Sequence, residues 1–282
     1  MSDSTESAFT RHTAVTRRDG NGSGQGEPVA GEHIFYDATI DESWWIIMGP
    51  NGGYIAAIVA RAAIDAAGSA ERRLHSLTLH YLRPPSGGPC AVEVAVERVG
   101  RGVSTVTVRM TQADKLIVVG VASIAVPRDS IGFDTSTMPD VPSPENTPVP
   151  VTPEGAPTLA MLQHFRNRPV FGNLMGTIDP PGVPRSGGWM IFAEDTPIDE
   201  VALVALCDAW WPPIMEMGLP PMAVPTVDLT VHVRAVPTLP NVAVLGEFVS
   251  PLAADGYLIE DGTLWSPDGV LLAQSRQLAV LM

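Results

Sequence analysis

From residue 33 onward the chain alternates apolar and polar positions in short runs, broken by two longer apolar stretches. HIFYDATI has the period of a strand. NGGYIAAIVARAAIDAAG, a glycine pair followed by a long Ala-rich apolar run, predicts a helix entered through a tight turn. Four strand-like runs follow: RLHSLTLHYLR, CAVEVAVERVG, GVSTVTVRMTQ and KLIVVGVASIAV. Between 188 and 281 the order recurs, with a strand at GWMIFAE and an apolar helix at EVALVALCDAWW. Strands then follow at TVDLTVHVR, NVAVLGEFVS, GYLIEDGTLWS and GVLLAQSRQLAV.

Both halves therefore read as strand, helix, four strands. The agreement reaches local sequence: LTLH at Leu77 to His80 is matched by LTVH at Leu229 to His232, 152 residues on. Units of this size indicate a duplicated domain, since solenoid repeats run to about 20 to 50 residues. One helix facing about five antiparallel strands is an α+β layer arrangement in which the sheet wraps the helix to bury it. The expected organisation is a disordered tail over 1–31, a first unit over 32–126, a Pro-rich connector over 127–187 and a second unit over 188–282.

Composition narrows the function. The 282 residues are 45% apolar and carry a net charge of −14, which argues against nucleic acid as a partner. Of 17 basic residues only Lys115 is a lysine, so an anionic ligand would meet arginine forks, with Arg83 and Arg101 among the candidates. Cys90 and Cys207 form no disulfide framework, and no Cys/His spacing suits a metal. No apolar run reaches the roughly 20 residues of a membrane span, and the first residues lack the apolar stretch of an export signal. A non-exported, cytoplasmic protein is expected.

Several residues invite a chemical reading. Asp208 is the one charged residue between Val201 and Trp211, in a stretch of helical spacing whose other members should be buried. A carboxylate there is either a base kept ionised by hydrogen bonds or a structural acid satisfying backbone groups where Pro212 and Pro213 disrupt the helix. Gln277 falls on the inward parity of the last strand, where it could orient a water or tie down a bulge. Strict alternation puts Thr226 on the polar face with Asp228, Thr230 and His232, so bringing it inward requires a bulge after Pro225. Gly52 and Gly53 permit close backbone approach, and the amides opening the helix could hold an oxyanion; a tight turn alone would also use them. His75, His80 and His232 lack companions for a metal site. Trp210 and Trp211 read as core or pocket lining, and no G-x-S-x-G elbow is present.

The NGG turn (Asn51, Gly52, Gly53), LHSLTLHYLRP, the GRG before alternating strands, CDAWW, TVD and SRQLAV together resemble the acyl-CoA thioesterase II family. The resemblance spans about residues 33 to 282 and implies a double hot-dog fold, two fused units each with a central helix wrapped by an antiparallel sheet. It further implies hydrolysis of acyl-CoA to free CoA and a carboxylic acid, with no cofactor or metal. Asp208, Thr226 and Gln277 would position and activate the attacking water, and the Gly52 and Gly53 amides would polarise the thioester carbonyl. Two features depart from the family pattern: Asn51 stands where His or Phe is common, and the residues after Thr226 lack the usual aromatic and His-Arg-Pro character. Both bear on substrate range. The rival reading is a non-catalytic protein of the same fold that binds acyl-CoA or acyl chains. An enoyl-CoA hydratase is disfavoured because its closely spaced Asp and His are missing. The two halves already supply the pairing that single units gain by dimerising, so a monomer and a homo-oligomer are both sensible.

Overall fold

Each alternating run forms a strand and each long apolar run contains a helix. The computed structural model describes residues 6–18, 28–69, 71–150, 159–172, 179, 182–220, 222–237, 239 and 241–282. The first half contains α1 (Ala8–His12), β1 (Thr16–Arg17), β2 (His33–Ile40), α2 (Gly52–Ala66), β3 (Arg73–Tyr81), β4 (Gly88–Arg98), β5 (Val103–Gln112) and β6 (Lys115–Ala125). The remainder contains β7 (Arg168–Phe171), β8 (Arg185–Met190), α3 (Glu200–Leu206), β9 (Thr226–Val233), β10 (Val244–Ala254), β11 (Tyr257–Trp265) and β12 (Leu271–Val280).

The strands form one antiparallel sheet in the order β1-β2-β4-β5-β6-β3-β9-β12-β11-β10-β8-β7. Its two six-stranded blocks are mirror images in order, joined where β3 pairs with β9. At this seam Thr78 lies opposite Thr230, their hydroxyls 3.0 Å apart. Ser76–His232 and His80–Asp228 flank that pair symmetrically. Residues 152 apart thus meet on a pseudo-twofold axis, which confirms the double hot-dog architecture. Joining the blocks also turns two exposed edges into one paired seam.

The two helices fill the space enclosed by the sheet. Leu77, Leu79, Leu229 and Val231 face them and are buried, as is every residue of α3. The helices approach unusually closely. A Cβ on Gly53 would lie 2.3 Å from the carbonyl oxygen of Ala205, 152 residues further on, so glycine is required by space. Neither Gly52 nor Gly53 has a positive φ, and a turn needing glycine dihedrals is therefore not the reason for the pair.

Three expectations change. Residues 6–18, assigned by composition to a disordered tail, form α1 and β1. Ser7 caps α1, Phe9 is buried against Trp44 and Phe192, and Arg61 of α2 donates to Thr13 Oγ1. One buried aromatic and a cap outweigh a polar average. Residues 1–5 and 19–27 lie outside the described residues. The connector is also structured in part: β7 extends the sheet beside β8, and Trp189 donates its indole N–H to Pro142 O at 2.9 Å. Strand β8 itself begins at Arg185, before residue 188. Finally, α3 stops at Leu206. Trp211 precedes a proline, which disfavours helical backbone, and the Asp208 carbonyl is taken by Asn51 Nδ2 at 2.6 Å. Among the described residues no helix is long and apolar enough to cross a membrane.

Candidate active site

The N-terminus of α2 points at the turn that follows α3. Asn51 is the N-cap of α2, its Oδ1 accepting from Tyr54 N at 2.9 Å. Its Nδ2 reaches across to Asp208, donating to the main-chain oxygen at 2.6 Å and to Oδ2 at 3.3 Å. The Gly53 N–H donates to the same Oδ2 at 2.8 Å. Gly52 leaves the room required, since a Cβ there would stand 2.8 Å from Oδ2. Tyr81 of β3 donates to the Gly52 carbonyl at 2.9 Å and steadies this turn. A carboxylate at a helix N-terminus is electrostatically favoured by orphan amides and the helix dipole.

Strand β9 supplies Thr226 through a bulge. Leu278 of β12 faces Asp228, and Ala279 faces Thr226, so Val227 is the extra residue. The bulge reverses the parity of Thr226 and turns it toward the face shared with Leu229, Val231 and Gln277. Its hydroxyl donates to Gln277 Oε1 at 2.9 Å, and Gln277 Nε2 donates to Glu260 Oε1 at 2.7 Å. The Gln277 side chain also supports the Asp208 carboxylate.

The electrostatics follow from this enclosure. Burial pushes the Asp208 carboxyl up to about 6, opposed by hydrogen bonds from Gly53, Gln277, Gly52 and Asn51. Burial, with the nearby Asp208 charge, pushes Glu260 up to about 8. Tyr81 is raised well above its ordinary value by burial, and Cys207 is pushed up to about 12. Asp208 is thus the acid of this cluster that ionises first.

The structure brings Asp208, Thr226 and Gln277 into one cluster with Gly52 and Gly53. It differs from expectation in where the glycine amides go: the Gly53 N–H is directed at the Asp208 carboxylate and is not open for an oxyanion. His75 sits at a bulge of β3, while His80 and His232 are exposed. Among the described residues no group of three potential ligands could hold a metal. Trp210 is buried, and Trp211 donates to Glu216 Oε1 at 2.6 Å. Arg83 and Arg101 are exposed, with Arg83 donating to the Leu116 carbonyl. Sequence reasoning missed Glu260 and the bridging role of Asn51. A signal for Glu260 existed, because its strand parity groups it with Leu258, Gly262 and Leu264, all inward.

Comparison with known proteins bears on the family and the fold. The family descriptions "Acyl-CoA thioesterase N-terminal domain" and "Acyl-CoA thioesterase C-terminal domain" match residues 41–125 and 137–281. An uncharacterised protein of Mycobacterium tuberculosis is 26% identical over 273 residues, covering 87% of this chain and 90% of the relative. A hot-dog protein of unknown function from Alicyclobacillus acidocaldarius superposes with a TM-score of 0.85 at 26% identity, covering 99% of both chains. A candidate thioesterase II from Thermobifida fusca does so with a TM-score of 0.78 at 26% identity, covering 98% of both. With both domain descriptions matched in order and the duplicated hot-dog frame in place, the chain belongs to the acyl-CoA thioesterase family.

Proposed function

We propose that this protein hydrolyses acyl-CoA thioesters to free CoA and a carboxylic acid by direct attack of water, with Asp208 as general base. The observation that carries this reading is the Asp208 carboxylate, held by the α2 N-terminus beside the Thr226–Gln277 pair. With its acid strength near pH 6, Asp208 is mostly ionised at neutral pH yet basic enough to take a proton from water. Thr226 spends its proton on Gln277, so its oxygen lone pairs remain to accept from the same water. One water proton would go to Asp208 as the water oxygen bonds to the carbonyl carbon. Collapse of the tetrahedral intermediate breaks the C–S bond, and the proton passes to the departing CoA sulfur.

A covalent thiol route has little support. Cys207 beside Asp208 is buried and held as the neutral thiol, as is Cys90, also pushed up to about 12. The turn leading into Asn51 exposes Ile47 and Met48, apolar surface next to the site of the kind an acyl chain would use. The test is thiol release from a panel of acyl-CoAs of graded chain length, followed with a chromogenic thiol reagent. Equal release of CoA and acid is expected for at least one chain length. Binding without release at every length would favour the acyl-CoA binder.

A further inference from the structure

We propose that Glu260 is a positioning residue of this site, fixing the orientation of the Gln277 amide through the hydrogen bond it accepts. The inference rests on the hydrolytic reading above. An amide can sit in either of two orientations related by a flip, and a threonine hydroxyl donates or accepts equally well, so Thr226 alone leaves both available. Gln277 Nε2 donates to Glu260 Oε1 at 2.7 Å, and the same side chain supports Asp208. With its NH2 group drawn to two carboxyl groups, Gln277 turns its oxygen to Thr226 and receives that hydroxyl's proton.

The internal repeat shows that the fold does not ask for a carboxyl here. On β12, Gln277 lies opposite Leu229 of β9 and Glu260 of β11. In the first half Ala122 lies opposite Leu77, the counterpart of Leu229, and opposite Val106. Ala122 and Val106 therefore occupy the places of Gln277 and Glu260, and both are buried among apolar neighbours. An acid at the second position is explained by the polar cluster it completes.

Its neutrality has a physical cause. The charged groups acting on Glu260 are Asp208, from the turn after α3, and Asp261, its neighbour on β11, whose carboxylate pairs with Arg276. Both are acidic. Gln277 on β12 offers a hydrogen bond but no charge, and Tyr81 and Cys207, both pushed up by burial and by the Asp208 charge, stay neutral. Two ionised carboxylates in this enclosure would repel each other and any oxyanion formed on the substrate, so turnover should fall once Glu260 loses its proton.

The test is the pH dependence of kcat and KM for thioester hydrolysis by the full-length protein, Glu260→Gln, Glu260→Val and Asp208→Asn. Wild-type kcat is expected to fall above about pH 8 as the second carboxyl ionises. In Glu260→Gln the amide oxygen still accepts from Gln277; kcat at pH 7 should drop about threefold and the alkaline fall should disappear. Glu260→Val, the residue found in the first half, should lose about tenfold or more in kcat with KM little changed. An alkaline fall that persists in Glu260→Gln, or wild-type kcat in Glu260→Val, would overturn the inference. Undiminished hydrolysis by Asp208→Asn would overturn the hydrolytic reading itself. Loss in Asp208→Asn with no change of profile in Glu260→Gln would overturn only the role of Glu260. Thermal melting gives a readout independent of turnover: raising the pH from the ordinary carboxyl range up to about 8 should lower the melting temperature of wild type more than that of Glu260→Gln, and equal losses would count against the neutral acid.

Discussion

The two halves share a frame and differ at the places where chemistry would occur. By the spacing of 152, Leu74 and Ala56 of the first half correspond to Thr226 and Asp208 of the second, and by strand register Val106 and Ala122 correspond to Glu260 and Gln277. Even the bulge is repeated. On β3, Leu74 faces Ile124 and Ser76 faces Ser123, leaving His75 as the extra residue at the place of Val227. The bulge in the first half turns a leucine into the core; in the second the same bulge delivers a hydroxyl. Backbone geometry that re-aims a side chain is thus a property of the fold, while side-chain identity decides whether it serves packing or a site. The asymmetry extends to the helices. Each helix is capped by its own side chain, Asn51 for α2 and Asp199 for α3, and α2 in addition directs its Gly53 amide at Asp208 across the pseudo-twofold axis. The Asp208 cluster is thus assembled from both halves.

Substitutions can break this comparison or sharpen it. Asp208→Asn is the largest break: turnover should fall by about 10²- to 10⁴-fold, the usual worth of a general base, while thermal unfolding stays cooperative. Gly53→Ala attacks the helix crossing. Its Cβ would meet the Ala205 carbonyl oxygen at 2.3 Å, so denaturant unfolding should show a loss of about 1–3 kcal/mol, together with reduced turnover as Asp208 loses its amide donor. Thr226→Leu gives the second half the residue of the first and should cost about tenfold in kcat while preserving the strand pairing. Leu74→Thr makes the reverse change. With no Asp208 counterpart nearby it should leave turnover unaffected and cost about 1–3 kcal/mol in denaturant unfolding for an unpaired buried hydroxyl.

The same cluster sets how stability responds to pH. Asp208 and Glu260 both have folded values above their ordinary ones, near 6 and near 8. Each therefore favours the folded state fully only when protonated in both folded and unfolded chains. That contribution is lost progressively as pH rises from the ordinary carboxyl value, and the loss is complete once the pH has passed about 6 for Asp208 and about 8 for Glu260. Wild-type melting temperature should decline over this window relative to an Asp208→Asn, Glu260→Gln double variant.

Much of the frame is legible from alternation, because a half-buried sheet imposes period two and duplication prints the pattern twice. Asp208 stands out as a lone charge in an apolar run, and Gln277 as an amide on an inward position. Other features depend on contacts distant in sequence. The destination of the Gly53 amide is fixed by a residue 155 positions away, and Asn51 reads as a simple helix cap until Asp208 is placed beside it. Thr226 appears on the wrong face until the bulge is located. Glu260 was readable from parity yet sits next to Asp261, and a charge pair on a strand suggests an exposed edge. The tail misleads for another reason: composition averages over Phe9, whose burial orders its neighbours.

The most direct test of Asp208 as the base is the acid side of the pH dependence of kcat/KM for acyl-CoA hydrolysis, measured for the wild type and for the residual activity of Asp208→Asn. Wild-type kcat/KM should rise with an apparent pKa of about 6, and that rise should be absent from the variant. The same rise in both proteins, with comparable rates, would contradict the assignment.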